Sequence, residues 1–283
     1  MKQHNPLKIL LSVSLAAIVL FTACADLKSI RSFADTSADS AGYTSLSGDY
    51  LKSIEREKLY QPESQHAHLE NIIQMRKAQQ PALLGLHKGI SEYMSALGAL
   101  ASDETVSYDK SLDSLAGDIK KTKIIKDNEA DAFISLTKFI SKAATDLYRQ
   151  KKLKQLISES NNDFQLVIAA MSGIVGTDLV SSLANESVAV DKYYKNIVTI
   201  AANAPPQQAA VELVNDKWKE RQNELEAKKQ ACTLYAKTLE KIGKGHQLLF
   251  DNKDKLPSKQ LLDSIKSYGK EVSAIYKQIK ELK

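Results

Sequence analysis

The sequence predicts an all-α protein, a bundle of several long antiparallel, coiled-coil-like helices. Three observations carry that expectation. From Tyr50 to the C-terminus apolar residues recur at steps of three and four, the period of one helix face. Glycine and proline, which punctuate turns and break helices, number only 11 and 6 in 283 residues. No alternating run bounded by Asn-Gly or Asp-Gly reads as a β-hairpin.

The chain opens MKQHNPLK, with Lys2 and Lys8 and no acid, and Ile9 to Phe21 is apolar or small throughout. A helix of that length spans about 20 Å, short of a hydrocarbon core of roughly 30 Å. A basic start, a short apolar run and small residues before a cut describe a secretory signal peptide. Leu20, Phe21, Thr22, Ala23 and Cys24 then resemble the lipobox of bacterial lipoproteins, with Phe21 where that pattern usually has Leu. The resemblance implies that 1–23 is removed and that Cys24 becomes the N-terminus. There it would carry a diacylglycerol thioether and, usually, a further acyl chain of the palmitate type. Two or more chains hold a protein stably, whereas one is marginal. Ala25 after the cysteine, in place of Asp, implies the outer membrane with the domain facing the periplasm.

Ala34 to Gly48, ADTSADSAGYTSLSG, contains no Lys or Arg and is rich in small residues. Composition reads this stretch as a flexible tether, so that 24–48 is expected to be the lipidated end implied by the resemblance followed by that tether. Ile30, Phe33, Tyr43, Leu46 and Tyr50 keep helical spacing and support a helix instead; the tether with a helical end is the expectation here. The bundle is then expected over 49–283.

Within it, Leu51 and Ile54 lead to a break at Gln61-Pro62, and Leu69, Ile72 and Ile73 open the next helix. Pro81 is expected to kink that helix or to start another. Leu83, Leu86, Ile90, Tyr93, Leu97 and Leu100 form one face, among Gly85, Gly89, Ala96 and Gly98, which let a neighbour approach closely. After a polar break at Ser102 to Glu104 the stripe continues through Tyr108, Leu112, Leu115 and Ile119. Asp127 to Glu129 starts a helix carrying Phe133, Leu136, Ile140, Ala144 and Leu147. Leu179, Leu183, Val190, Tyr193, Ile197 and Ile200 follow, ended by Asn203-Ala204-Pro205-Pro206. The most regular seam comes next: Val211, Val214, Trp218, Arg221, Leu225, Lys228, Cys232, Tyr235, Leu239, Ile242, His246 and Leu249, about 57 Å of helix. Leu256-Pro257-Ser258 breaks it, and Leu262, Ile265, Tyr268, Val272, Ile275 and Leu282 form a last helix short enough to fold back.

Chemistry is sparse. His66 and His68 stand two apart on a helix and point roughly 200° apart around its axis, so they do not share an ion. No cofactor or metal is expected. Cys232 has no intrachain partner once Cys24 is acylated, and His246 lies about 21 Å further along the same helix, too far to activate it. No phosphate loop, Gly-x-Ser-x-Gly elbow or His-Glu-x-x-His occurs, and the expectation is a non-enzyme. The formal net charge of +5 falls by two when Lys2 and Lys8 leave with the leader, which argues against a nucleic-acid surface.

Two features point to function. Arg221 and Lys228 interrupt the seam, which there either faces water or pairs with acids, and they mark the expected partner contact; a non-enzymatic envelope lipoprotein that binds another envelope protein, or itself, is the leading expectation. The uncharged stretch Phe164 to Gly176, including Phe164, Val167, Met171 and Ile174, reads as a central buried helix. Its alternative is a concealed membrane-insertion segment. In that respect the long-helix plan resembles helical pore-forming proteins of the haemolysin E type, although the stretch is too short to span a bilayer as one helix.

Overall fold

A computed structural model describes residues 27–102, 104–145, 149–202 and 208–282. The lipobox and Cys24 lie outside the described residues, as does the turn expected at Asn203 to Pro206. The fold is all-α, with no strand among the described residues. In chain order the helices are α1 (Lys28–Ala41), α2 (Ser45–Lys58), α3 (Glu63–Ala101), α4 (Ser111–Thr122), α5 (Asp127–Thr145) and α6 (Arg149–Gly173). A π-helical turn, Ile174–Leu179, carries α6 directly into α7 (Val180–Ala202), and α8 (Gln208–Asp251) and α9 (Lys259–Glu281) complete the chain.

The first correction concerns the tether. Lys28–Ala41 is a core helix that buries Ile30, Phe33, Ala34, Ser37, Ala38, Ser40 and Ala41, and Ser45–Lys58 is a second helix. Small side chains serve close packing here. Ala34 and Asp35 lie against Gly98 of α3, and the Phe33 ring covers Gly245 of α8, where a Cβ would collide with it. The bundle therefore begins at α1, ahead of residue 49. Pro81 does not start a new helix, since α3 runs through it unbroken. Pro81 and Lys77 both face solvent, so the Lys77 carbonyl that loses its helical donor is free to bond water.

Along α8, Gly245 meets Phe33, Tyr235 meets Ala41, Lys228 meets Asp49 and Arg221 approaches Glu186 and Arg56. α1 and α2 thus lie end to end along α8 and antiparallel to it. α3, α6 and α9 fill the remaining sides, and α4 and α5 cover the outer face of α3. One contiguous core joins them, with Tyr93, Tyr235, Phe33, Phe133 and Phe164 as its largest fully buried side chains. The seam of α8 is core from Leu225 to Leu249, save the half-buried Lys228, and only half-buried from Val211 to Arg221.

Candidate interaction surface

The change along that seam defines the most distinctive surface of the molecule. Beyond Val190 on α7 and before Leu225 on α8, no described residue is buried. Among the described residues the two helices here pack against each other and the end of α2, and they form a two-helix arm. A pair of helices hides one seam and exposes the rest. Ile200 is 71% exposed, Leu213 63%, Val188 68% and, at the arm's foot, Leu59 74%. Tyr60 stands edge-on to Tyr193 at 5.4 Å between ring centroids, Tyr193 is perpendicular to Tyr194, and Lys195 lies over the Trp218 ring. From Asn196 to Val211 the sequence carries no charge. The charges just below that tip pair locally, Lys195 with Asp191 and Lys217 with Glu220.

At the base of the arm sit Arg221 and Lys228, both paired with acids. Glu186 of α7, fully buried, accepts from Arg56 Nε at 2.8 Å and Nη2 at 2.9 Å, and from Arg221 Nη2 at 2.5 Å. Asp49 accepts from Arg56 Nη1 at 2.8 Å and from Lys228 Nζ at 3.0 Å, and Glu224 pairs with both Arg221 and Lys228. Three cations and three carboxylates from α2, α7 and α8 cancel within one half-buried network. Pairing holds the Arg56 and Arg221 guanidinium groups above their ordinary range against the opposing cost of burial. The pairing alternative in the sequence is the one realised, and the two residues serve as clamps.

Phe164, Val167, Met171 and Ile174 sit in the core beneath α8. The run Lys152–Ala201 contains a window apolar enough to cross a membrane, and half of that window is buried inside the bundle. Phe164 stacks between Tyr93 and His246, each 4.6 Å away by ring centroid. That is the packing of a central helix.

Both lone histidines are core residues in polar chains. His87 Nδ1 lies 2.9 Å from the Ala41 carbonyl and donates to it, and Nε2 accepts from Ser47 Oγ at 2.6 Å; Tyr235 also donates to Ala41 O. His246 Nδ1 donates to Asn161 Oδ1 at 2.9 Å, and Nε2 accepts from Tyr93 Oη at 2.6 Å. Neutral rings satisfy both chains, and burial pushes His87 down to about 4 and His246 down to about 3. Ser47 and His87 have the spacing of a nucleophile and its base, and both are buried. Cys232 is buried as well, and burial pushes its thiol up to about 12. His66 bonds the Gln61 carbonyl, and His68 is exposed. No group of three His, Cys, Asp or Glu residues able to hold a metal occurs among the described residues.

Sequence reading missed the arm, although the uncharged run from Asn196 to Val211 was its signal. Comparison with protein-family models, with curated proteins and with solved structures found no match.

Proposed function

We propose that this chain is a lipid-anchored envelope protein, without catalytic activity of its own, that holds a partner protein through the α7–α8 arm. The lipobox at Cys24 supports the anchor, and the exposed apolar arm is the observation that carries the reading. The start of α1 and the arm lie far apart along α8. α1 begins where Phe33 packs on Gly245, and Gln208 lies about 55 Å away along α8. Cys24 is three residues before Leu27, a reach of about 10 Å at most. Acyl chains on Cys24 would then sit at one end of the bundle while the arm points away from the lipid, into the periplasm for an outer-membrane protein.

An occupant of protein chemistry fits the arm best. Its charges are paired or balanced, and Tyr193, Ile200 and Leu213 stand exposed among them, which suits the apolar face of another protein's helix better than a polyanion. Aromatic anchors such as Tyr193 are the residue types that dominate binding energy at interfaces.

The test is a photo-crosslinking residue placed at Ile200 or Leu213 in intact cells, with Lys142 at a remote surface as the control position and Cys24→Ser as the unanchored control. One heterologous adduct from the arm positions, absent from Lys142 and lost with Cys24→Ser, is expected. Ile200→Lys with Leu213→Lys should abolish it while leaving helicity intact. Adducts only between copies of this chain would replace the partner with self-assembly, and equal adducts from all positions would remove the arm from function.

A further inference from the structure

Arg76 of α3 is a buried cation with no anion beside it. It is 8% exposed. Nη1 donates to the Tyr50 carbonyl and, at 3.2 Å, to Ser53 Oγ; Nη2 donates to Ser182 Oγ; and the guanidinium lies 4.4 Å over the Tyr50 ring. All three acceptors are uncharged. Nε–H is buried with no hydrogen-bond partner among the described residues. Asp178 and Glu57 act on Arg76 from beyond ion-pair distance, and burial outweighs them, drawing the guanidinium below its ordinary range. The contrast is Arg56 on the neighbouring helix, which is held by Glu186 and Asp49. Buried charges are ordinarily paired, because an uncompensated one costs several kcal/mol.

Arg76 lines a cleft of about 220 Å³ between α2, α3 and α7, together with Glu57, Gln61, His68, Ser182 and Asn185. Glu57 is buried on the same wall, accepts a bond from Gln61 Nε2 at 3.3 Å, and is pushed above the usual carboxylate range by burial. Cation and carboxyl thus face one cavity without closing on each other. A guanidinium has five N–H donors, of which three are used here. The two left, on Nε and Nη2, are a fork of the kind that receives a carboxylate side-on. Glu57 would repel a phosphate dianion and attract an ammonium group.

We propose that this cleft binds a small amino-carboxylate, of the class of a free amino acid, with its carboxylate on Arg76 and its ammonium on Glu57. Gln61 and Asn185 also line the cleft and offer further polar groups. The site is separate from the arm surface, so it stands or falls independently of the partner.

The experiment is calorimetric titration and thermal melting of the full chain in detergent micelles, with glycine, L-alanine and L-glutamate as probes and acetate and inorganic phosphate as comparators. At least one amino acid should bind with one-to-one stoichiometry and raise Tm, at least tenfold tighter than acetate. Glu57→Gln, which keeps shape and burial, should erase that tenfold preference; Arg76→Met should abolish binding altogether. Should Arg76→Met fail to fold, the Glu57→Gln comparison decides alone. Absence of binding by all three amino acids overturns the proposal, as does tighter binding of phosphate or a preference over acetate that survives Glu57→Gln.

Discussion

Replacing Glu186 by Gln is the most demanding trial of the packing described above. The substitution keeps shape and one acceptor oxygen, removes the charge and turns an NH₂ toward a guanidinium. Glu186 is fully buried and takes two bonds from Arg56 and one from Arg221, so three charge-assisted contacts are lost or weakened together. Removing one partner of a buried ion pair costs about 3–5 kcal/mol, most of it from the charge left behind. The remaining cations are not abandoned, since Arg56 keeps Asp49 and Arg221 keeps Glu224. Their side chains also retain 19% and 15% exposure to water. The lower end applies, about 3 kcal/mol. At roughly 2–4 °C per kcal/mol for a large domain, Tm should fall by about 6–12 °C. Urea and thermal unfolding followed by far-UV circular dichroism measure both quantities, with an unchanged urea slope showing that the denatured state is the same. A cycle with Arg221→Met should return a coupling of about 1 kcal/mol or more. A loss below about 1 kcal/mol, or additive single changes, would refute the claim that these charges act as one unit.

Two further perturbations probe the core. Gly89→Ala should cost about 1–3 kcal/mol because the new methyl would strike the Phe133 ring, while Gly173→Ala, at φ −62° with open space around it, should add about 0.5–1 kcal/mol; paired urea melts read both, and equal effects would mean that helix-packing distances are not what sets glycine here. Acid should weaken the protein through its histidines: the unfolded rings bind protons near pH 6.5, whereas folded His87 does so near about 4 and folded His246 near about 3. Between those values the unfolded state holds more protons, so stability declines as pH falls below 6.5, by about 2 kcal/mol per ring at pH 5. Melts at pH 7 and pH 5 should show a smaller drop for His246→Gln than for wild type, and the same drop in both would discard the neutral buried ring.

Much of the fold was legible because helix periodicity is a local property. The stripe from Leu83 to Leu100 and the apolar seam positions from Leu225 to Leu249 read directly as buried faces, and they are buried. The lone histidines read best as surface or core residues, and both are core. The misreading at Ala34 to Gly48 has a physical cause. Small residues satisfy a flexible linker and a tightly packed helix equally well, and only the presence of Gly98, Gly245 and Gly269 opposite α1 separates the two. The candidate site was less legible still. Glu224 stands three and four positions from Arg221 and Lys228, but the other acids that hold them, Glu186 and Asp49, lie 35 and 179 positions away in the chain, and nothing near Arg76 in sequence marks it as a buried cation.

By itself, then, the sequence determined the helical class, most helix spans and the resemblance of its first residues to a lipoprotein leader. These depend on neighbours three, four and seven positions apart, which any chain carries on its face. Tertiary structure decided which stripes found a third helix and which remained an exposed arm, which charges met a partner, and where one guanidinium was enclosed without one. Burial and pairing are set by residues distant in sequence, and only the assembled bundle brings them within reach.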